Sequence, residues 1–462
     1  MNEDQKEAES RAAADATVAE QTGPPGAIPR RVWGGTGLLV VGRIFGSTCT
    51  LIALYVLANH LSGEDFGRYT FYLALFMVLD SLVDLGTGQA AVQLTSRDPD
   101  RLTSVLRTAK RVRLVTGAIG VLLMGGGALL AGESGAWWLL LASLYPITHV
   151  FELSTVVFKN RIAWSRPVMV RMSASAASLA FVLLLWMQSV EEPALYVLAV
   201  ACGSTLGNFG LRLVARRHLP QGTAPAAPLR PFLALALPMG IAGLCQQVYF
   251  YIDNLFVRPI EGEEALGHYN LAVRVMSYSI MVAVYAPLAA LPWLSREHAA
   301  ERLGAAVGKI ALPLVSLAAI GAGFVWPWSE DLLGLFGAEF QAAAGSLRWL
   351  LLAVVAIYLG SPLLTGVVAA GRSKAVLASA LVGMLVNVIG NAWLVPLYGI
   401  DGAAIATCAT EVSVALTAGA ALARANAWPL QRAMLPFWLA TPALFWLARI
   451  LSGSVKNMVL GS

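Results

Sequence analysis

Charge is scarce in this sequence: Asp, Glu, Lys and Arg together make up 13% of the 462 residues, against 57% hydrophobic ones. A soluble domain draws about a quarter of its residues from those four types. With so few, a water-exposed fold of this length could not cover its apolar surface, and a lipid bilayer is the natural solvent. Cysteine is rarer still. Cys49, Cys202, Cys245 and Cys408 are scattered through apolar stretches, which favours small buried hydrophobes over a disulfide framework or a metal cluster. No Gly-x-x-x-x-Gly-Lys-Ser/Thr occurs, and the stretch from Gly304 to Lys309 fails its spacing, so the chain carries no phosphate cradle of the Walker type. Asp98-Pro99-Asp100 imitates the metal-binding Asp-x-Asp of glycosyltransferases. In a short basic loop, with no nucleotide-binding domain around it, the motif reads as a solvated turn. No metal and no cofactor are expected.

What the chain has in abundance is apolar runs. A hydrocarbon core about 30 Å thick needs roughly twenty residues of helix, and twelve such segments are predicted, near 37–59, 69–92, 113–131, 137–157, 168–188, 194–215, 232–256, 268–292, 308–328, 346–369, 375–396 and 402–423. A thirteenth stretch, 435–451, contains Pro436, Pro442 and Arg449 and would either span the bilayer or lie along its surface. Trp137, Trp138, Trp326, Trp328 and Trp393 stand at predicted span ends, as an aromatic belt requires. Pro146, Pro238, Pro287, Pro292, Pro313 and Pro362 fall inside or near spans, where they bend helices or free carbonyls for neighbours to satisfy.

The positive charges sort the gaps into two kinds. Residues 97–113, 159–171, 212–230, 296–309, 372–374 and 424–432 hold twenty-one Lys and Arg, whereas the alternate gaps hold only Arg258 among acids such as Glu191, Glu192, Glu261, Glu263, Glu264, Glu330 and Asp331. That is the positive-inside pattern of a polytopic helical membrane protein with its basic gaps in the cytoplasm. The net charge of +5 therefore belongs beside anionic headgroups, and no nucleic-acid partner is indicated. Residues 1–30 are rich in Ala, Glu, Asp and Gln and end in a Gly-Pro-Pro-Gly break, the composition of a disordered tail. No apolar core with a small-residue cleavage site precedes Arg30, so the tail is expected to remain, cytoplasmic, and the first span to direct insertion.

Gly63-Glu64-Asp65-Phe66-Gly67-Arg68-Tyr69 is echoed by Glu263-Glu264-Ala265-Leu266-Gly267-His268-Tyr269. Both copies open an even-numbered span from the outside. The spacing predicts two similar six-helix lobes, residues 31–220 and 221–430, followed by a C-terminal apolar segment, 431–462. The expected fold is thus all-α, two pseudo-symmetric six-helix bundles around a central cavity, as secondary transporters with repeated halves are built.

The run from Leu61 to Tyr69, with Asp84-Leu85-Gly86 before a basic loop, resembles the start of Wzx-type polysaccharide flippases of the multidrug/oligosaccharidyl-lipid/polysaccharide exporter superfamily. Similar in order and spacing are Asp253, Gly267-His268-Tyr269-Asn270-Leu271-Ala272-Val273-Arg274, Leu335-Phe336-Gly337-Ala338-Glu339-Phe340 and Tyr398-Gly399-Ile400-Asp401-Gly402-Ala403-Ala404. Where the family often has an Arg before the first external loop, this chain has Asn59-His60-Leu61-Ser62. The resemblance implies no enzyme but a flippase in a bacterial plasma membrane. Its substrate would be an undecaprenyl-diphosphate-linked oligosaccharide, its other partners membrane lipid and the polymerase and glycosyltransferases of the same biosynthesis.

Such a substrate cannot leave its hydroxyls and diphosphate unsolvated, so it needs a polar, cationic path while its prenyl tail stays in lipid. Candidates for the cationic lining are Arg43 and Arg274, each about a turn and a half into a span, with Arg348 and Arg171 nearer span ends. Snorkelling to an interface is the alternative for all four. For a coupling ion, H+ or Na+, the candidates are Asp80 and Asp84, four apart on one helix face, Asp253, Glu152 with His149 three residues before it, and Glu411 near mid-span, the costliest place for an unpaired carboxylate. Local pairing competes with each of these roles, and an interhelical hydrogen bond does so for His149. An exporter of cationic drugs would want a cavity dominated by carboxylates, and a membrane polymerase or ligase would want a large external loop; both are alternatives that the residues favour less.

Overall fold

The computed structural model describes residues 30–160, 163–219, 225–299, 301–425 and 435–460; the expected N-terminal tail lies outside them. Helices fill it and no strand occurs among the described residues. Ten helical stretches are long and apolar enough to cross a membrane, but two of them, Leu229–Leu288 and Lys374–Ala423, are 60 and 50 residues long, far beyond the roughly twenty that one crossing takes. Each is broken by a glycine in non-helical conformation, Gly262 (φ 88°) and Gly399 (φ 56°). Counting each as two crossings gives twelve, six in each bundle.

The first bundle contains α1 (Arg30–Ala58), α2 (Gly63–Asp84), α3 (Thr87–Arg97) and α4 (Leu102–Val121). A π-helical turn, Leu122–Gly126, carries α4 into α5 (Gly127–Ala131). Next come α6 (Ala136–Ala142), α7 (Tyr145–Glu152), α8 (Val156–Asn160), α9 (Ser165–Met187) and α10 (Pro193–Ala215). The second bundle has α11 (Leu229–Tyr251), α12 (Asp253–Ser279), α13 (Met281–Ala299), α14 (Leu303–Val325), the short α15 (Ser329–Gly334), α16 (Ala344–Ala369) and α17 (Ser373–Ala423).

The second span is not one helix, as the apolar run over 69–92 suggests. Ser62 caps α2 by accepting from the Asp65 N–H at 3.1 Å, and Glu64 and Asp65 sit in its first turn, where the helix dipole favours them. At the other end Leu85 (φ 41°) and Gly86 (φ 73°) turn left-handed before α3 begins. A Cβ on Gly86 would stand 2.3 Å from the Ala236 carbonyl oxygen. The break therefore lets the backbone of α11, from the other bundle, touch the chain directly.

The repeated motif meets itself. α2 and α12 cross where Gly67 faces Gly267: a Cβ on Gly67 would fall 1.7 Å from the Glu263 carbonyl oxygen, and one on Gly267 would fall 3.0 Å from the Gly67 nitrogen. Small residues at a helix crossing in lipid let backbones approach and maximise packing. Around this crossing Phe66, Tyr69, Tyr72, Leu266, Tyr269 and Phe340 are fully or almost fully buried, and they join the two bundles into one core.

The thirteenth stretch forms α18 (Leu435–Leu460). It lies along α14 in the same chain direction. Phe445 backs onto Gly323, Ser452 donates to the Phe324 carbonyl at 2.6 Å and accepts from Trp328 Nε1 at 2.8 Å, and Lys456 reaches the Pro327 carbonyl at 2.8 Å and Asp331 at 2.5 Å. A helix of 26 residues rises about 39 Å, enough to match the crossing helix it accompanies.

Candidate substrate and ion sites

Three polar regions interrupt the apolar interior. The first is in the N-terminal bundle, where five of the sequence candidates come together around a residue that sequence reading left among the loop charges. Arg113, buried on α4, pairs with Asp84 and, at 3.1 Å, with Glu152; it also donates to Thr87 Oγ1 at 2.8 Å and to the His149 carbonyl at 2.7 Å. His149 lies 2.7 Å from Asp80 and 2.8 Å from the Tyr145 hydroxyl, and Arg171 on α9 pairs with Glu152 at 2.5 Å. Asp80, Asp84, His149, Glu152 and Arg171 thus form one network on α2, α7 and α9, with Arg113 at its hub. Three carboxylates face two arginines, so a proton on His149 would complete the charge balance. Buried charges in such a medium persist only when paired and hydrogen-bonded.

The second region is in the C-terminal bundle and holds one carboxylate. Asp253, buried at the start of α12, accepts from the Tyr269 hydroxyl, from Asn391 Nδ2 at 2.9 Å and from Thr407 Oγ1 at 3.1 Å. Asn391 also donates to Asn387 Oδ1 at 3.1 Å. No arginine or lysine pairs with Asp253 among the described residues. Asn391 Oδ1 is buried without a hydrogen-bond partner, an acceptor left over beside a carboxylate. A carboxylate without a cationic partner, with a spare amide oxygen beside it, offers a place for a proton or a monovalent cation, whose charge it would neutralise. Next to it Asn270 donates to Asn254 Oδ1 at 2.7 Å and across the seam to Thr70 Oγ1 at 3.0 Å.

The third region lies at the seam. Arg43 on α1 and Arg274 on α12 come from opposite bundles, and both lie within electrostatic reach of Tyr278, Arg274 also of Tyr69. Neither arginine has a carboxylate partner among the described residues. The Tyr278 hydroxyl is buried and without a partner. Arg43 is exposed and Arg274 half-buried, and guanidiniums without a carboxylate partner are the side chains that suit phosphate oxygens.

The other two candidates stand apart. Arg348 pairs with Glu330 at 2.9 Å near the outer start of α16, away from the seam arginines. Glu411 is buried in the second half of α17 and faces Tyr249 and Cys408, without a hydrogen bond or ion pair among the described residues.

Beside the seam a chain of ion pairs links the two bundles on the side away from the basic gaps. Arg68 pairs with Glu263, Glu263 with Arg258 at 2.7 Å, and Arg258 with Glu133 through bonds of 2.7 and 2.9 Å, so the chain of pairs crosses between bundles twice. Tyr72 donates to Glu133 at 2.8 Å, and Arg258 lies 4.3 Å over the Phe71 ring. The Arg258 guanidinium holds the Glu133 carboxyl below the usual carboxylate range, against the opposite pull of partial burial. Sequence reading missed this chain of pairs, although it noted Glu263, one of its two acids. The signal was Arg258 itself, the one cation in the outer gaps.

Comparison with known proteins fits this architecture. The chain matches the solved structure of lipid II flippase MurJ in an inward closed conformation with a TM-score of 0.72, at 14% identity over 92% of this chain and 98% of that one. It also matches an inward-facing multidrug resistance MATE family transporter of the MOP superfamily (TM-score 0.65, 15% identity, 86% and 95% covered) and a Vibrio cholerae MATE transporter (0.59, 12%, 86% and 96%). At such identities the likeness is one of fold. No curated protein matches the sequence significantly. The MatE family matches residues 238–393. The polysaccharide biosynthesis protein family matches residues 32–298, more than half of the sequence, and the chain belongs to that family of the exporter superfamily.

Proposed function

We propose that this protein is a secondary transporter that flips a polyprenyl-diphosphate-linked oligosaccharide across a bacterial inner membrane, with its N-terminus in the cytoplasm. The observation that supports the reading is that Arg43 and Arg274, one from each bundle and neither with a carboxylate partner among the described residues, both lie within electrostatic reach of Tyr278. A diphosphate crossing a low-dielectric interior needs its charge offset, and cations from both halves would be gathered by the substrate and separated as the halves rock. The ionic ring of Arg68, Glu263, Arg258 and Glu133 then serves as the outer closure of alternating access. Asp253 with Asn387, Asn391 and Thr407 is the best-built place for a coupling ion, H+ or Na+, and Glu411 is the second. One charge moving down 100 mV supplies about 2.3 kcal/mol. Polymerase and glycosyltransferases that make and consume the lipid-linked glycan are the expected functional partners.

Export of cationic drugs is the second reading, favoured by the MatE match over residues 238–393. The same two arginines weigh against it, because they would repel a cation at the seam.

Arg43→Ala and Arg274→Ala should each abolish glycan export in cells while the protein stays inserted and abundant. Export at the wild-type rate in both variants would remove the phosphate role.

A further inference from the structure

α9 and α10 approach along a line of small residues. A Cβ on Gly207 would stand 2.7 Å from the Ala174 side chain, and one on Gly210 would stand 2.9 Å from Val170. Because the floor is glycine and the walls are Met169, Leu206 and Leu213, all more than half exposed, the crossing leaves an open groove of about 900 Å³ on the outer surface of the N-terminal bundle. The groove reaches from Leu206 along α10 to Arg217 just past its end, and from Arg166 to Ala177 on α9, about 16 Å at 1.5 Å per residue. That is half of a hydrocarbon core about 30 Å thick, one leaflet. Its polar end carries Arg166 and Arg217, both exposed and neither paired with a carboxylate among the described residues. Arg166 lies 3.1 Å from His218, which lines with it a second hollow of about 240 Å³ beside Phe158.

We propose that this groove is a binding site for an anionic phospholipid of the cytoplasmic leaflet, one acyl chain lying over Gly207 and Gly210 and the headgroup phosphate held between Arg166 and Arg217. The occupant follows from complementarity. The depth of the apolar part equals one leaflet, the cations sit where headgroups begin, and a basic pocket between membrane helices on that side selects anionic headgroups. Its lining includes neither seam arginine, although α9 also packs on α1, which carries Arg43. Its assignment to the cytoplasmic leaflet rests on the proposed orientation, and its occupancy does not depend on which substrate is flipped.

The test is lipid binding by the full chain in detergent, read by native mass spectrometry and by thermal melting with added phosphatidylglycerol, phosphatidylethanolamine or undecaprenyl diphosphate. Wild type should keep phosphatidylglycerol adducts and melt higher with that lipid, with little response to phosphatidylethanolamine. Arg166→Gln with Arg217→Gln should bind phosphatidylglycerol about tenfold more weakly, the double Lys variant should restore most of the affinity, and Ser173→Phe, which fills the groove from an exposed position, should block the chain without touching the charges. Equal response to both phospholipids, or full affinity in the Gln and Phe variants, would overturn the site. Loss of undecaprenyl diphosphate binding alone in those variants would overturn the occupant in favour of the substrate's own lipid. None of these readouts involves transport, so a failure of the flippase reading leaves them intact.

Discussion

The two bundles share a backbone plan, yet their polar interiors are built on opposite principles. In the N-terminal half three carboxylates, two arginines and a histidine bind one another across α2, α4, α7 and α9. In the C-terminal half one carboxylate is met by a tyrosine, a threonine and an asparagine, all neutral. A network of mutual ion pairs is stiff, since every charge has a partner and losing one strands another. A lone carboxylate among neutral dipoles keeps its charge available. The contrast supports the proposed roles, the N-terminal cluster holding helices in register and the C-terminal cluster taking up a cation.

The sharpest way to break that contrast is at its hub. Arg113→Ala leaves Asp84 and Glu152 facing each other without their shared cation, and removing one partner of a buried pair typically costs about 3–5 kcal/mol. We expect strong loss of folded protein, read as membrane abundance and melting temperature, with partial recovery in Arg113→Lys. A variant as stable as wild type would mean that the network is not the brace described.

A smaller effect on folding, but a specific one on transport, is expected on the other side. Asp253→Asn keeps the hydrogen-bonding shape and removes the charge, so the protein should stay folded while export loses its dependence on an imposed Na+ or proton gradient. Glu411→Gln separates the alternatives. Gradient dependence that persists in Asp253→Asn but vanishes in Glu411→Gln would move the ion site to α17, and dependence surviving both would remove coupling from these two carboxylates.

Much of this was legible in the sequence. Twelve apolar runs and the alternation of basic gaps place the crossings, because hydrocarbon thickness and the cost of exposed backbone polar groups leave few options. The echo of Gly67 in Gly267 was read as the mark of two similar lobes, and the structure adds that these two glycines touch. Breaks inside a run were not legible. Leu85 and Gly86 lie inside the run predicted over 69–92, where Gly86 and Gly88 are weak breakers by themselves, and the close approach of α11 to Gly86 is a tertiary feature that no local pattern shows. Arg113 was hidden for a related reason. At the edge of a basic loop it reads as one more headgroup-facing charge, and only the fold turns it inward. Asn387, Asn391 and Thr407 gave no signal at all, since single neutral polar residues in apolar helices are common and acquire meaning from the carboxylate they surround.

The smallest predicted effect concerns the outer ring, which joins the two halves and so tests whether their contrast matters to motion. Glu133 has its carboxyl held below the ordinary value by Arg258. A depressed carboxylate pKa in the closed state stabilises that state fully above the ordinary carboxylate pKa, and the contribution is lost as pH falls through the depressed value. Closure should therefore be steady at neutral pH and weaken only below about pH 4, seen as faster labelling from outside of a cysteine introduced at Thr70, which is buried at the seam. Because Glu133 is partly open to solvent, water and salt screen the ring, and the change is expected to be modest. Glu133→Gln should give the fast labelling at neutral pH and lose the acid response. If it labelled as slowly as wild type at every pH, the helix crossing at Gly67 and Gly267 would be closing the outer side by packing alone.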